Sequence, residues 1–156
     1  SASSERKCTR AAPVPASRPA VSRDDVMFVA ALLAEPALKA RALAEVEPLT
    51  LPDGPLQDVL AALRSGADQV VRRLTREDAC ALYAAAAAIE PDPAVDCAVL
   101  VEKRLVSLKR RSLELEGRRV QEELQQAQQR KDNARVSELL TRKVEIDRQI
   151  QRVGAA

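Results

Sequence analysis

The chain has 156 residues, a formal net charge of +2 from 25 Lys and Arg against 23 Asp and Glu, an apolar fraction of 46%, and neither histidine nor tryptophan. That length holds one domain with a real core, or a core and an appendage. Without histidine there is no ordinary Ser-His or Cys-His couple, no His metal ligand and no side chain with an unperturbed pKa near neutrality, so histidine-based catalysis is excluded. Phe28 and Tyr83 are the only aromatic residues, and both read as core anchors rather than stacking platforms. Ala, Leu, Arg, Glu and Gln, the strongest helix formers, dominate, whereas residues that fill strands are scarce. An all-α fold follows. Cys8, Cys80 and Cys97 are an odd number at wide spacings with no CxxC pair, which speaks against a zinc site or a disulfide framework and suits a reducing cytoplasm. Cys80 and Cys97 lie on helical patterns and read as small core residues, with a redox role as the alternative. No run approaches the length of a membrane span, and the N-terminus lacks the apolar stretch of a signal peptide. A soluble cytoplasmic protein is expected.

Residues 1 to 21 are rich in Ser, Ala and Pro, with Pro13, Pro15 and Pro19 spaced through them. Such a composition cannot bury a core and favours an extended, semi-rigid connector, so the stretch reads as an interdomain linker. Opening on a linker and on Ser1 rather than Met, the chain is expected to be a fragment of a longer polypeptide. The rival reading makes Arg6, Lys7, Arg10 and Arg18 a nucleic-acid arm.

From Ser22 to Pro91 short helices alternate with stops. Ser22 and Asp25 form a near capping box that opens a helix carrying Val26, Met27, Val29, Ala30 and Leu33. Glu35-Pro36 ends it, and a second helix with Leu38, Ala42 and Leu43 stops before Pro48. Pro52-Asp53-Gly54-Pro55 is a turn launching a third helix with Leu56, Val59, Leu60 and Leu63, closed by Ser65-Gly66. A short fourth segment bears Val70, Val71 and Leu74, and Thr75 with Asp78 is read as the cap of a fifth helix running through Tyr83 to Ile89. The alanines from Ala84 to Ala88 let helices approach closely and carry no chemistry.

Asp92-Pro93 supplies an N-cap followed by Pro at the first helical position, and no breaker follows until about Arg130. The predicted helix is about 37 residues long, or ~55 Å. Its first half is apolar on two sides, Val99 and Val106 on one and Val101, Leu105, Leu108 and Leu115 on the other, which predicts a sandwiched helix docked on the bundle. Its second half steps by four and three through Leu113, Gly117, Val120, Leu124 and Ala127. After Arg130-Lys131-Asp132-Asn133 the steps resume at Val136, Leu139, Lys143, Ile146, Ile150 and Val153. Folding back at Lys131/Asp132 sets Ala127 opposite Val136, Leu124 opposite Leu139, Gly117 opposite Ile146 and Leu113 opposite Ile150. That register belongs to an antiparallel coiled-coil pair. Residues 22 to 110 therefore form a bundle that includes the first half of the long helix, and 111 to 156 a helical hairpin whose glycine allows close approach.

Charge follows these zones: +4 for residues 1 to 23, −6 for 24 to 92 and +4 for 93 to 156. The basic hairpin predicts an acidic partner surface. Carboxylates such as Asp24/Asp25, Glu114/Glu116 and Glu122/Glu123 sit at caps or on helix surfaces, with no glycine-rich phosphate loop nearby. Neither an enzyme nor a bound cofactor is expected. Leu140 and Val144, four apart beside the seam, form a short apolar strip that is either a widened seam or a partner site.

A bundle, a long connecting helix and a terminal hairpin after a Pro/Ala/Ser-rich linker resemble the C-terminal helicase-binding domain of bacterial DnaG-type primases. Val26 to Leu38, reading VMFVAALLAEPAL, looks like that family's opening "LL…PEL" helix, joined by Leu56 to Leu63. Asp96 to Leu124 and Val136 to Val153 are similar to its last two helices, so the resemblance spans roughly 22 to 153. It implies a hairpin that docks on the N-terminal domains of the hexameric replicative helicase and recruits primase to the fork, with primase catalysis in domains upstream of Ser1. The partner-binding residues expected on this basis are Arg130, Lys131, Asn133, Arg135, Leu140, Val144 and Asp147, with no membrane and little direct nucleic-acid contact. The alternatives are a helicase's own N-terminal domain, whose linker would follow the hairpin instead of preceding the bundle, and a nucleic-acid-binding accessory protein.

Overall fold

A computed structural model describes residues 21 to 66 and 70 to 155; most of the linker, with Arg6, Lys7, Cys8, Arg10 and Arg18, lies outside them. The fold is all-α. Among the described residues seven helices form: α1 Arg23–Ala34, α2 Pro36–Val46, α3 Pro55–Arg64, α4 Val70–Arg73, α5 Glu77–Ala87, α6 Cys97–Gln129 and α7 Asn133–Ala155. No helix among them is long and apolar enough to cross a membrane.

The punctuation in the sequence explains most boundaries. Ser22 caps α1 through its side chain, which accepts from the Asp25 backbone N–H at 3.4 Å. Pro36 and Pro55 each stand at the start of a helix, where the missing N–H costs nothing. Gly66 ends the α3 region at φ 106, a left-handed conformation that favours glycine. Val21, assigned to the linker from composition, packs instead against the bundle core.

Phe28 and Leu32 of α1, Val46 of α2, Val59 and Leu60 of α3, Val70 of α4, Leu82 of α5 and Val101 and Leu105 of α6 are almost wholly buried in one core. Tyr83 packs at its edge. α5 lies against α1 and α3, while α6 crosses α1 and α2. Polar links strap α6 down: Lys109 Nζ to Glu45 Oε1 at 2.7 Å, Arg41 to Glu102, Arg104 to Asp25, and the Thr50 N–H donating to Ser112 Oγ at 2.8 Å. Ser112 is the one buried polar residue among those described, and its bond to the backbone offsets the cost of burying a hydroxyl.

Four expectations need correction. The long helix has 33 residues and starts at Cys97, with Asp96 rather than Asp92 as its cap; Asp96 Oδ1 accepts from Val99 N–H, while Asp92 Oδ1 closes a turn on Ala94 N–H at 2.9 Å. Both aspartates suit a cap, and the later start lets the chain turn before Val101 enters the core. The fifth helix is preceded by Arg76, not capped by Thr75, because the Arg76 guanidinium is drawn to Asp78 at 2.8 Å, Asp53 at 3.3 Å and Asp58 at 3.5 Å. Cys80 is exposed rather than a core residue, since Ala79 and Leu82 face inward from α5; its thiol donates to the Leu74 carbonyl at 3.3 Å. Finally, the first half of α6 is covered on one side only. Val99 is 48% exposed and Val106 half-buried, because α7 pairs with α6 only as far as about Arg110, beside Gly154.

Candidate functional site: the terminal hairpin

α6 leaves the bundle after Ser112 and pairs with α7 around a second, separate core of Val120, Leu124, Ala127, Leu139 and Ile146, edged by Leu113, Val136 and Ile150. Leu124 and Leu139 are 4% and 3% exposed in the same cluster and Gly117 lies beside Ile146, as the mirrored register predicts. A Cβ added to Gly117 would lie 3.6 Å from Ile146 Cγ2. That is ordinary contact, so the seam does not require glycine there.

The tip is a tight reversal. Lys131 takes φ 57, its N–H donates to the Gln128 carbonyl at 3.1 Å, and the Asp132 N–H reaches back to the Ala127 carbonyl at 3.0 Å. These are the two bonds of a Schellman motif, satisfying carbonyls that the end of α6 leaves open. Asp132 then caps α7, its Oδ1 accepting from Arg135 N–H at 3.2 Å.

The two flanks of the hairpin differ. One is laced by cross-helix ion pairs, Arg135 to Glu123 at 3.0 Å and Arg142 to Glu116, with Arg135 also reaching Glu138 at 3.1 Å. The carboxylates of Glu138 and Glu123 hold the Arg135 guanidinium above its already high pKa. Sequence reasoning missed this ladder, although Glu116, Glu123, Arg135 and Arg142 each stand one residue before a seam position, which puts all four on one flank of an antiparallel pair. The other flank carries Leu140 and Val144, 47% and 54% exposed. There Lys143 Nζ donates to Gln121 Oε1 across the seam edge.

The seven residues singled out from sequence thus separate into two groups. Arg130 and Lys131 are exposed at the tip, Asn133 begins α7, and Leu140, Val144 and Asp147 are exposed along it. Arg135 instead belongs to the ion-paired flank. Within the described residues no cluster of three or more His, Cys, Asp or Glu is placed to hold a metal ion. The geometry offers a surface: a projecting rod with a cationic tip, one flank of mutually satisfied charges and one carrying exposed aliphatic groups. No family model, curated protein or solved structure matches the chain.

Proposed function

We propose that this chain is a protein-interaction domain resembling the helicase-binding domain of DnaG-type primases, and that its hairpin recruits the parent primase to the hexameric replicative helicase at the fork. The observation that supports this is the division of the apolar residues into two cores. The bundle buries its own set, whereas the hairpin closes a narrow seam and still leaves Leu140 and Val144 half in water on a rod that extends beyond the bundle. A projecting element with unburied aliphatic groups fits partner docking better than scaffolding. In this reading the chain works in the cytoplasm, carries neither catalysis nor cofactor, and binds the N-terminal domains of the helicase with little contact to nucleic acid.

The test is titration of the chain into its cognate hexameric helicase by calorimetry, with duplex and single-stranded DNA as parallel ligands. Saturable binding to the helicase and none to DNA at physiological salt is expected. Salt-dependent binding to DNA with no helicase association would replace this reading with that of a nucleic-acid-binding accessory protein.

A further inference from the structure

The two flanks of the hairpin make different demands on anything that covers them. On the laddered flank Glu116, Glu123, Arg135 and Arg142 already neutralise one another, and a partner seated there would strip water from paired charges. The opposite flank carries no ion pair among the described residues; its charged groups are Lys143, hydrogen-bonded to Gln121, with Asp147 on α7 and Arg118 on α6. Leu139 and Ile146 fix the seam direction of α7; one residue further round lie Asn133, Leu140 and Asp147, and beyond them Ser137 and Val144. On α6 the same side carries Gln121, Gln125 and Gln128, with Gln121 placed there by its bond to Lys143. Amides and a hydroxyl surround the two aliphatic side chains, with Lys143 at the seam edge and Asp147 and Arg118 toward the end away from the tip.

From this asymmetry we propose that the Leu140/Val144 flank is the docking face, that its occupant is an amphipathic helix of the partner lying along α7, and that this helix carries carboxylates at the hairpin-tip end and a cation at the Asp147 end. The proposal rests on the helicase-recruitment reading and adds to it the face, the binding mode and the chemistry of the partner. A helix fits because Leu140 and Val144 stand one turn apart, ~6 Å along the axis, the spacing that anchors at i and i+4 of a third helix match. The charge order is set by groups that find no ion-pair partner among the described residues: Arg130 and Lys131 at the tip, about 14 Å along the helix from Leu140, and Asp147 three residues past Val144.

A second copy of this chain fits less well. In a two-fold pair centred between Leu140 and Val144, Lys131 of one copy would face Val153 of the other rather than Asp147, so the tip charges would stay unmatched. The tip is therefore matched by carboxylates of another protein, and association should be steered electrostatically.

The experiment measures affinity of the whole chain for its cognate hexameric helicase, with circular dichroism on every variant. Glutamate is used for the substitutions because it is a good helix former. Leu140→Glu and Val144→Glu are expected to weaken binding by about 30-fold or more, the size of a hot-spot loss. The pair Arg130→Glu with Lys131→Glu is expected to weaken it by roughly 10-fold and to reduce its salt dependence. Arg119→Glu, exposed beside the laddered flank, should stay within about twofold of the unaltered chain, as for a residue outside the hot spot. If the unaltered chain binds and the strip variants, folded, bind as well as it does, the proposed face is wrong while the recruitment reading stands. A large loss from Arg119→Glu would place docking on the laddered flank, and salt-insensitive binding would overturn the acidic partner. Failure of the unaltered chain to bind removes the recruitment reading and the proposal together.

Discussion

Leu139 and Leu140 are neighbours with opposite environments, and exchanging each for alanine tests where the hairpin core ends. Leu139 is 3% exposed in a second core of only five buried residues. Leu139→Ala removes three carbons from it, about 2.4 kcal/mol at ~0.8 per methylene, and a cavity term raises the expected loss to ~3 kcal/mol. Leu140 is 47% exposed, so roughly half of its transfer free energy is at stake. Leu140→Ala should cost about 1 kcal/mol, somewhat more than for a freely exposed position, which is usually within ~0.5 kcal/mol. The separation of about 2 kcal/mol is read by urea unfolding followed by circular dichroism, with hydrogen exchange at α7 amides reporting the hairpin alone. Because the two cores share only α6, Leu139→Ala should raise exchange along α7 while α1, α3 and α5 keep their protection. Equal losses from the two substitutions would show that Leu140 is core, and both the apolar strip and the proposed docking face would fall.

Gly117→Ala should stabilise the chain by up to ~1 kcal/mol, since glycine in mid-helix is unfavourable and the new Cβ meets Ile146 Cγ2 only at 3.6 Å; a lower urea midpoint would mean that the helices must approach more closely than this. Lys131→Gly should raise stability by about 1 kcal/mol, because φ 57 strains any residue with a Cβ, and the same variant should lose part of the salt dependence of helicase binding. Glu45 is held below the usual carboxylate pKa, mainly by the hydrogen bond from Lys109 and also by Arg41. Its contribution is therefore full above the unfolded glutamate value of about 4.3 and disappears as pH falls through the lower folded value; Glu45→Gln should flatten that acid limb of the stability curve.

What the sequence determined by itself is local or strictly periodic. Ser22, Pro36, Pro55 and Gly66 mark helix ends because a cap, a missing N–H or a positive φ acts on the residues beside it. The seam through Leu113, Gly117, Val120, Leu124 and Ala127 fixed its own partners, since steps of four and three leave one antiparallel register in which Leu124 meets Leu139. The tertiary structure decided what depends on chain segments distant in sequence. Asp92 and Asp96 are equally good caps in isolation, and the route that brings Val101, Leu105 and Leu108 onto α1 and α2 selected Asp96. Thr75 yielded to Arg76 because three carboxylates from the turn before α3, from α3 and from α5 converge on one guanidinium. Cys80 and Val99 carry helical patterns that predict burial, yet exposure is set by where neighbouring helices run, and α7 does not reach Val99. The asymmetry of the hairpin likewise emerges only when both helices are in place: Glu116 and Glu123 find Arg142 and Arg135 across one edge of the seam, leaving Leu140 and Val144 uncovered on the other.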